Sequence, residues 1–194
     1  MSGISGNDVH GTVEIRLSGS GGQGLQLSAS VLAEALVRAG RCIAQSQSYE
    51  PTSRGGISRS DLVVGVGDVG YPLVTRIDYL VILDDVAAGA SDFALAPCSL
   101  VLCDKTRVRA GPSGAGVVRM LPFAETARAL GSDRVANMVA LGCLAAVSGL
   151  CGQTSLEAVL RDETPPKFLD LNTEALAAGF QLATGFERSA AEAS

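Results

Sequence analysis

Residues 15–39, which decide the fold of this chain, are I-R-L-S-G-S-G-G-Q-G-L-Q-L-S-A-S-V-L-A-E-A-L-V-R-A. Apolar residues alternate with polar ones before the glycines and recur every three to four residues after them. The pattern therefore changes from the period of a strand to the period of a helix. Residues 19–24, the glycine loop, are predicted to connect the two elements.

The spacing Gly19-x-Gly21-x-x-Gly24 is typical of a loop that bends tightly and lets its backbone approach a ligand. The helix that follows offers free N–H groups and the positive end of its dipole, which stabilise an anion such as phosphate. We therefore predict phosphate contacts at the loop residues Gly19, Ser20, Gly21, Gly22, Gln23 and Gly24. The alternative is a turn that packs the helix against the sheet and binds nothing.

An NAD site would also need an Asp or Glu about 20 residues further on, at the end of the second strand, to hold the ribose. The second strand, predicted from residue 41 to about residue 47, runs into Ser48 and Tyr49, and no acid follows it before Glu50. The sequence therefore disfavours an NAD site and leaves other phosphate-bearing ligands open.

The composition is that of one glycine- and alanine-rich α/β domain. The chain has 194 residues, of which 47% are hydrophobic and 23 are glycine. We predict a flexible tail at residues 1–11, a single domain at residues 12–182 and a second tail at residues 183–194.

Charge and hydropathy exclude several classes of partner. The formal net charge is −5, from 15 Lys+Arg and 20 Asp+Glu, and no basic cluster is present, so we expect no nucleic-acid partner. The most membrane-like stretch, residues 138–151, is too short to cross a bilayer, and the N-terminus lacks the features of a signal peptide. We therefore expect a cytoplasmic protein with no membrane partner.

The cysteines and the single histidine do not form the patterns that metal binding or histidine-based catalysis requires. The five cysteines, Cys42, Cys98, Cys103, Cys143 and Cys151, contain no Cys-x-x-Cys pair, and we interpret them as buried free thiols. The single histidine, His10, lies in the predicted tail. We predict no catalytic and no metal-binding residue in this chain.

Strand and helix patterns alternate before the chain becomes helical. After the first two strands we predict strands at residues 58–66, 79–83, 99–103 and 117–120, the last at a sheet edge, and a short helix opening at residues 71–74. Four more helices are predicted at residues 123–130, 135–150, 155–161 and 172–180, with an N-cap supplied by Thr154-Ser155-Leu156-Glu157. This order predicts an α/β fold: a Rossmann-like, doubly wound, mainly parallel sheet with a helical C-terminal segment.

A polar loop at residues 48–56 follows the second strand. Its Arg54 can make forked contacts to phosphate. Because ligands of such sheets lie beyond the carboxyl ends of the strands, we expect this loop and the glycine loop at one edge. Ser53, Arg54, Gly55 and Gly56 therefore join the predicted site. In the alternative, Arg54 bridges to a neighbouring subunit.

These motifs resemble the gamma subunit, or gamma domain, of the 2-oxoacid:ferredoxin oxidoreductases. The resemblance covers residues 13–179 and rests on Gly19-x-Gly21-Gly22-Gln23-Gly24, Arg54-Gly55-Gly56-x-Ser58, Tyr71-Pro72, the strand at residues 79–84 and Asn137-Met138-Val139-Ala140-Leu141-Gly142. The segment Ser48-Tyr49-Glu50-Pro51 is more similar to the 2-oxoglutarate-type branch than to the pyruvate type.

The resemblance implies a subunit of an enzyme that oxidatively decarboxylates a 2-oxoacid with coenzyme A, giving acyl-CoA and CO2. It implies thiamine diphosphate between the alpha and beta subunits, iron–sulfur (4Fe–4S) clusters in beta and delta-type subunits, and ferredoxin or another electron acceptor. The chain would not be catalytic alone. The glycine loop and Arg54 would contact coenzyme A at a site shared with these partners.

Two other functions remain open. The chain is an architectural or gating subunit with no ligand of its own, or, with less support, a stand-alone nucleotide-binding oxidoreductase. Ala140, Gly142, Ala145, Ala146 and Gly149 allow close backbone approach, and we favour internal packing over a subunit interface for them. We expect an exposed apolar patch around Gln23, Tyr49, Pro51 and Ile57, facing a partner. The sequence does not identify the 2-oxoacid.

Overall fold

The computed structural model describes residues 11–50, 55–67, 69–114 and 116–192, with side chains up to residue 184. Its six strands are β1 (Val13–Ser20), β2 (Cys42–Tyr49), β3 (Ile57–Gly65), β4 (Ile77–Ile82), β5 (Leu95–Asp104) and β6 (Val117–Leu121). Its five α-helices are α1 (Leu25–Arg38), α2 (Phe123–Ala129), α3 (Ala136–Ser148), α4 (Gln153–Glu163) and α5 (Pro166–Glu192).

The strands form one mixed sheet of order β2-β3-β1-β4-β5-β6. β1, β4, β5 and β6 pair in parallel, whereas β3 is antiparallel to both β1 and β2. β2 therefore runs in the same direction as β1, and residues 50–56, the hairpin loop, join it to β3. The α/β fold class with a mainly parallel sheet is confirmed, and β6 is an edge strand as predicted.

A doubly wound sheet has α-helices on both faces, whereas the α-helices described here pack against one face. All five helices contribute to one hydrophobic cluster, through residues such as Leu32, Phe123, Met138, Leu156 and Leu176. The cluster on the opposite face of the sheet draws on strands and on the segments between them, and none of its described members belongs to an α-helix. The reason is that no α-helix lies between β2 and β6 in the described residues: β2 and β3 form a hairpin, and the later strands are joined by segments with at most short 3-10 turns.

A buried ion pair lies on the face of the sheet opposite the α-helices. Arg16 of β1 donates from Nε to Oδ1 of Asp61 at 2.8 Å and from Nη2 to Oδ2 at 2.7 Å. Its Nη1 donates to Ser91 Oγ at 3.2 Å, and both charged residues are 7% exposed. The two parallel hydrogen bonds of this pair replace the contacts with water that both charged groups lose on burial.

Two local predictions are wrong. No helix opens at residues 71–74, because the neighbouring backbone is held by an acid: the N–H groups of Thr75 and Arg76 donate to Glu14 Oε2 at 2.5 and 2.6 Å. The sequence at Thr154 does not cap α4, which begins at Gln153 after Gly152 and has no side-chain cap.

The C-terminal helix is longer than predicted. α5 begins at Pro166, where the missing proline N–H costs no helical hydrogen bond, and continues to Glu192. The sequence pattern indicated only residues 172–180. None of the helices in the described ranges combines the length and hydrophobicity needed to span a bilayer.

The small residues of α3 pack inside the molecule. A methyl group on Gly142 would overlap the carbonyl oxygen of Leu176 in α5, and one on Gly179 would overlap that of Val139. Backbone therefore lies against backbone at this crossing, which confirms internal packing as the role of Gly142.

The cysteines differ from the prediction of five buried thiols. Cys42 and Cys98 are exposed, because the first lies on an edge strand and the second at the exposed start of β5. Cys103 and Cys143 are buried, and this burial raises the pKa of each thiol to about 12. Cys151 is half-buried, with a thiol pKa raised to about 11 for the same reason.

Candidate functional site

The glycine loop connects β1 to α1 as the sequence predicts. Gly22 and Gly24 have φ values of 91° and 73°, the left-handed region that favours glycine. Gly24 is the N-cap of α1, and a Cβ there would lie 2.6 Å from Nδ2 of Asn137. No side chain caps the first turn, and no acid lies in it. The N-terminus of α1 therefore keeps its positive dipole end unneutralised by an acid of its own first turn.

Gln23 fixes the loop to the end of β4. Its Oε1 accepts from the backbone N–H of Ser20 at 2.8 Å, and its Nε2 donates to the carbonyl oxygen of Leu83 at 3.2 Å. A side chain at Gly19 would overlap this amide. The shape of the loop thus depends on the pairing of Gly19 with Gln23.

The glycine loop and the hairpin loop meet at one edge of the sheet. The N–H of Gly21 donates to the carbonyl oxygen of Gly56 at 3.1 Å, and Ser20 lies opposite Ile57 in the β1–β3 register. Gly55, with φ 74°, turns the chain into β3. This confirms the expected proximity of the two loops. Ser53 and Arg54, also predicted to bind the ligand, lie outside the described residues.

The structure adds residues that sequence reasoning missed. Asn137, at the start of α3, donates from Nδ2 to the carbonyl oxygen of Gly24 at 3.0 Å and is 5% exposed. Arg107 follows β5, and Arg134 lies one turn before Asn137. The available signal was topological: each of these residues lies close to the carboxyl end of a parallel strand or in the connection that follows it.

A small cavity of about 130 Å³ lies against the glycine loop. Its lining residues are Gly22, Gln23, Leu83, Arg107, Asp133, Arg134, Ala136 and Asn137. The guanidinium of Arg107 is paired with Asp133, while Arg134 has no acidic partner among the described side chains. Among the described side chains that line this cavity, Arg134 is thus the cation available to an anion.

An acid that does not line the cavity also lies beside the loop. Asp84 Oδ2 accepts from Ser20 Oγ at 3.3 Å and lies 3.5 Å from Gln23 Nε2, while its Oδ1 accepts from the N–H of Val86 at 3.2 Å. The charged side chains that line the cavity are two cations and one acid: Arg107, Arg134 and Asp133. The charges therefore favour approach of an anion to the cavity rather than to Asp84.

A larger cavity, of about 710 Å³, lies elsewhere. It is bordered by Leu100 and Leu102 of β5, the end of α3 and the last described side chains of α5. No residue of the glycine loop lines it. This cavity is the larger of the two, but the glycine loop and the charged side chains near it line the smaller one.

Two other kinds of site can be compared with the described residues. β2 ends at Tyr49 and the chain returns antiparallel as β3, so no second βα unit places an acid beside the glycine loop in the way an NAD site requires. Among the described residues no group of three or more His, Cys, Asp or Glu side chains is arranged to hold a metal ion.

Comparison with known proteins gives a consistent result. Residues 14–182 match the family model for pyruvate ferredoxin/flavodoxin oxidoreductase. The 2-oxoglutarate synthase subunit KorC of Archaeoglobus fulgidus is 36% identical over 171 residues, which cover 88% of this chain and 87% of that protein.

Two solved structures share the fold. The keto/oxoacid ferredoxin oxidoreductase gamma subunit from Geobacter sulfurreducens PCA superposes with a TM-score of 0.81 and 34% identity, covering 90% of this chain and 98% of the other. The 2-oxoglutarate:ferredoxin oxidoreductase from Magnetococcus marinus, solved with 2-oxoglutarate, coenzyme A and succinyl-CoA bound, has a TM-score of 0.79 at 24% identity. That match covers 90% of this chain and 31% of the longer one.

Proposed function

Because this chain belongs to the pyruvate ferredoxin/flavodoxin oxidoreductase family and is the gamma-type subunit of a 2-oxoacid:ferredoxin oxidoreductase, we propose that its glycine loop forms one wall of the coenzyme A site of that enzyme. The other wall belongs to a partner subunit. The chain holds the phosphates of coenzyme A, and the chemistry takes place in the partners.

The reaction assigned to the complex needs groups that this chain would not supply. A 2-oxoacid loses CO2, its acyl carbon is oxidised by two electrons and joined to the thiol of coenzyme A, and the electrons pass to ferredoxin or another acceptor. Thiamine diphosphate, bound between the alpha and beta subunits, would supply the electron sink for decarboxylation, and iron–sulfur clusters in beta and delta-type subunits would supply the path for the electrons. 2-Oxoglutarate, the substrate named for the Archaeoglobus relative, is the 2-oxoacid to assay first.

The observation that carries the proposal is an incomplete anion site. The glycine backbone just before the uncapped N-terminus of α1 lines a cavity of about 130 Å³, and so does Arg134, which has no acidic partner among the described side chains. Sites for whole small molecules usually measure about 300–1,000 Å³. A cavity with phosphate-binding chemistry and too little volume for the whole ligand is what one half of a shared site would present.

Apparent affinity for coenzyme A in the assembled enzyme tests the proposal. We expect Arg134→Ala and Arg54→Ala each to raise the KM for coenzyme A about tenfold, the loss of one charge-assisted contact worth about 1.4 kcal/mol, while the KM for the 2-oxoacid stays constant. Arg109→Ala is the matched control, since that side chain is 92% exposed and lies outside the cavity. An unchanged KM for coenzyme A in both variants, with normal assembly, would exclude these phosphate contacts.

A second candidate, an architectural subunit without a ligand, is favoured by Gln23 and Asn137. The side-chain hydrogen bonds of both residues hold the loop in place, as a purely structural turn would require. Equilibrium dialysis of coenzyme A with the assembled enzyme and with an Arg134→Glu variant, which changes an exposed side chain of the cavity, separates the two functions. An acid at the cavity abolishes binding if the loop is a wall of the site, and leaves binding unchanged if the loop only packs.

A further inference from the structure

β2 is an edge strand without the usual protection. In the described structure it pairs only with β3, and its eight residues, C-I-A-Q-S-Q-S-Y, include neither a charge nor a proline. Edge strands are normally kept short, charged, bulged or covered, because their free N–H and C=O groups recruit other strands. The opposite edge follows this rule: β6 has five residues and carries Arg119. The exposed side of β2 is therefore suited to pairing with another strand.

An apolar groove runs beside this edge. It has a volume of about 420 Å³ and is lined by Leu27 and Val37 of α1 and by Ile43 and Gln45 of β2, among others. Leu27 is 41% exposed and Val37 50% exposed, although both are large aliphatic side chains. The groove thus offers apolar area to any side chain on the α1 side of an added strand.

The side-chain amide of Gln45, which lines the same groove, has an unused hydrogen-bond donor. Its Nε2 is buried and has no hydrogen-bond partner in the described part of the chain. A buried amide donor without an acceptor is unfavourable, so an acceptor supplied from outside the chain is expected. Tyr49, on the same strand and 79% exposed, is a large aromatic ring without cover.

We propose that β2 pairs antiparallel with β2 of a second copy of this chain, with Ser46 opposite Ser46 of that copy. A two-fold axis normal to the sheet keeps each side chain on its own face, so opposite residues must both be odd or both be even. In this register Tyr49 lies opposite Ile43 of the second copy, at the groove. Gln45 lies opposite Gln47, whose side-chain oxygen is an acceptor for the unpaired Nε2.

Charge favours the same arrangement. Arg41 immediately precedes β2 and Glu50 immediately follows it, and neither forms an ion pair with a described side chain. Antiparallel pairing of two copies brings the cationic end of each strand beside the anionic end of the other. Parallel pairing would place like charges together. The strand is thus complementary to itself in both side chains and charge, which selects a second copy over an unrelated strand.

The first test is the mass of the full chain in solution. Sedimentation equilibrium is expected to give a mass of two chains for the wild type and of one chain for Tyr49→Glu, which puts a third acid beside Glu34 and Glu163 in the groove of each copy. Phe93→Glu is the matched control, because Phe93 is 86% exposed and lies just before β5, which three strands separate from β2; it should remain a dimer. Equal thermal melting of the two variants as monomers in dilute solution checks that both fold.

The second test reports the register. Directly opposite residues of an antiparallel pair have Cα atoms about 4.5–5.5 Å apart, within the range for a disulfide. In a Cys42→Ser/Cys98→Ser background, Ser46→Cys should therefore cross-link two copies upon oxidation. Ser48→Cys is the control, because the two copies of residue 48 are displaced by four residues, roughly 13 Å along the strands, and cannot be bridged.

Each outcome is decisive. A dimer lost in Tyr49→Glu, kept in Phe93→Glu and cross-linked only through Ser46→Cys supports the proposal. A wild-type monomer at every concentration overturns it, as does a dimer insensitive to Tyr49→Glu. If the isolated chain is monomeric and β2 gains exchange protection only on binding the other subunits of the enzyme, the edge belongs to one of them and the proposal is wrong.

Discussion

The backbone N–H of Gly21 donates to the carbonyl oxygen of Gly56 at 3.1 Å, joining the glycine loop to the hairpin loop across the β1–β3 pair. Only backbone atoms make this contact, so it depends on how the two loops are held rather than on a particular side chain. Gln23 holds one of them, through Ser20 and Leu83.

Gln23→Ala should therefore destabilise the protein. The substitution removes two hydrogen bonds and leaves the N–H of Ser20 without its acceptor, which predicts a loss of about 1–3 kcal/mol in the free energy of unfolding. Urea unfolding of the purified chain measures it. Gln26→Ala, at an exposed position in the first turn of α1, is the control and should change the midpoint little. Equal midpoints for the two variants would show that the Gln23 amide does not hold the loop.

Gly142→Ala should separate α3 from α5. The added methyl group would overlap the carbonyl oxygen of Leu176, and we expect a cost of about 1–3 kcal/mol, larger than the gain in helix propensity of roughly 1 kcal/mol. Gly152→Ala is the matched control, because nothing lies within 4 Å of its Cβ position and its φ is −82°. Thermal unfolding compares the two. A Gly142→Ala variant as stable as the wild type would contradict the close helix crossing.

The Arg16–Asp61 pair should show strong coupling. Arg16→Leu or Asp61→Leu alone leaves a buried charge without its partner, for which about 3–5 kcal/mol is typical, whereas the double variant removes both charges. We expect the double variant to be more stable than the sum of the single effects by at least about 2 kcal/mol. A double-mutant cycle from urea unfolding measures the coupling. Additive effects would mean that the two charges do not depend on each other.

Thiol reactivity should divide the cysteines by exposure. Burial penalises the thiolate, so the pKa of Cys103 and of Cys143 rises to about 12, and at pH 8 neither forms thiolate in the folded protein. Alkylation at pH 8 followed by mass spectrometry should modify Cys42 and Cys98 in the native chain and all five cysteines in denaturant. Rapid native labelling of Cys143 would contradict the packing of α3.

The same shifts predict how stability depends on pH. The unfolded thiols ionise near their ordinary pKa of 9.0, whereas the folded ones resist ionisation up to about pH 12. Their contribution to stability is therefore complete below pH 9 and is lost as the pH rises from 9 towards 12. Cys143→Ala should reduce the slope of stability against pH in this range, a change that chemical denaturation at a series of pH values would detect.

The glycine loop and its two flanking elements were predictable because they depend on local signals. Periodicity fixed β1 and α1, and the left-handed φ of Gly22 and Gly24 accounts for those glycines. The missing helix at residues 71–74 was not predictable, since Glu14, some sixty residues earlier, satisfies the nearby backbone. The position of all five helices on one face depends on connections without an α-helix between β2 and β6, including the β2–β3 hairpin, which a period-two pattern does not distinguish from two parallel strands.

The candidate site likewise has a part that the sequence predicts and a part that it does not. Its backbone part was readable from glycine spacing, whereas Arg134, Asn137 and Asp84 reach the loop through tertiary packing. Asn137 and Asp84 stand in segments that carry the family resemblance, but those segments did not place either residue beside the loop. The exposure of Cys42 could not be predicted either, because an edge strand and a central strand have the same local sequence pattern.

Hydrogen exchange on the assembled enzyme, with and without saturating coenzyme A, tests the central claim most directly. If the glycine loop is a wall of the coenzyme A site, the amides of Gly22 and of residues 24–27 should exchange at least about tenfold more slowly with coenzyme A bound, because phosphate oxygens accept their N–H groups. The amides at the far end of α1, residues 35–38, should be unchanged. Saturating coenzyme A with no change at Gly22 and residues 24–27 would contradict the claim and leave the loop as a packing turn.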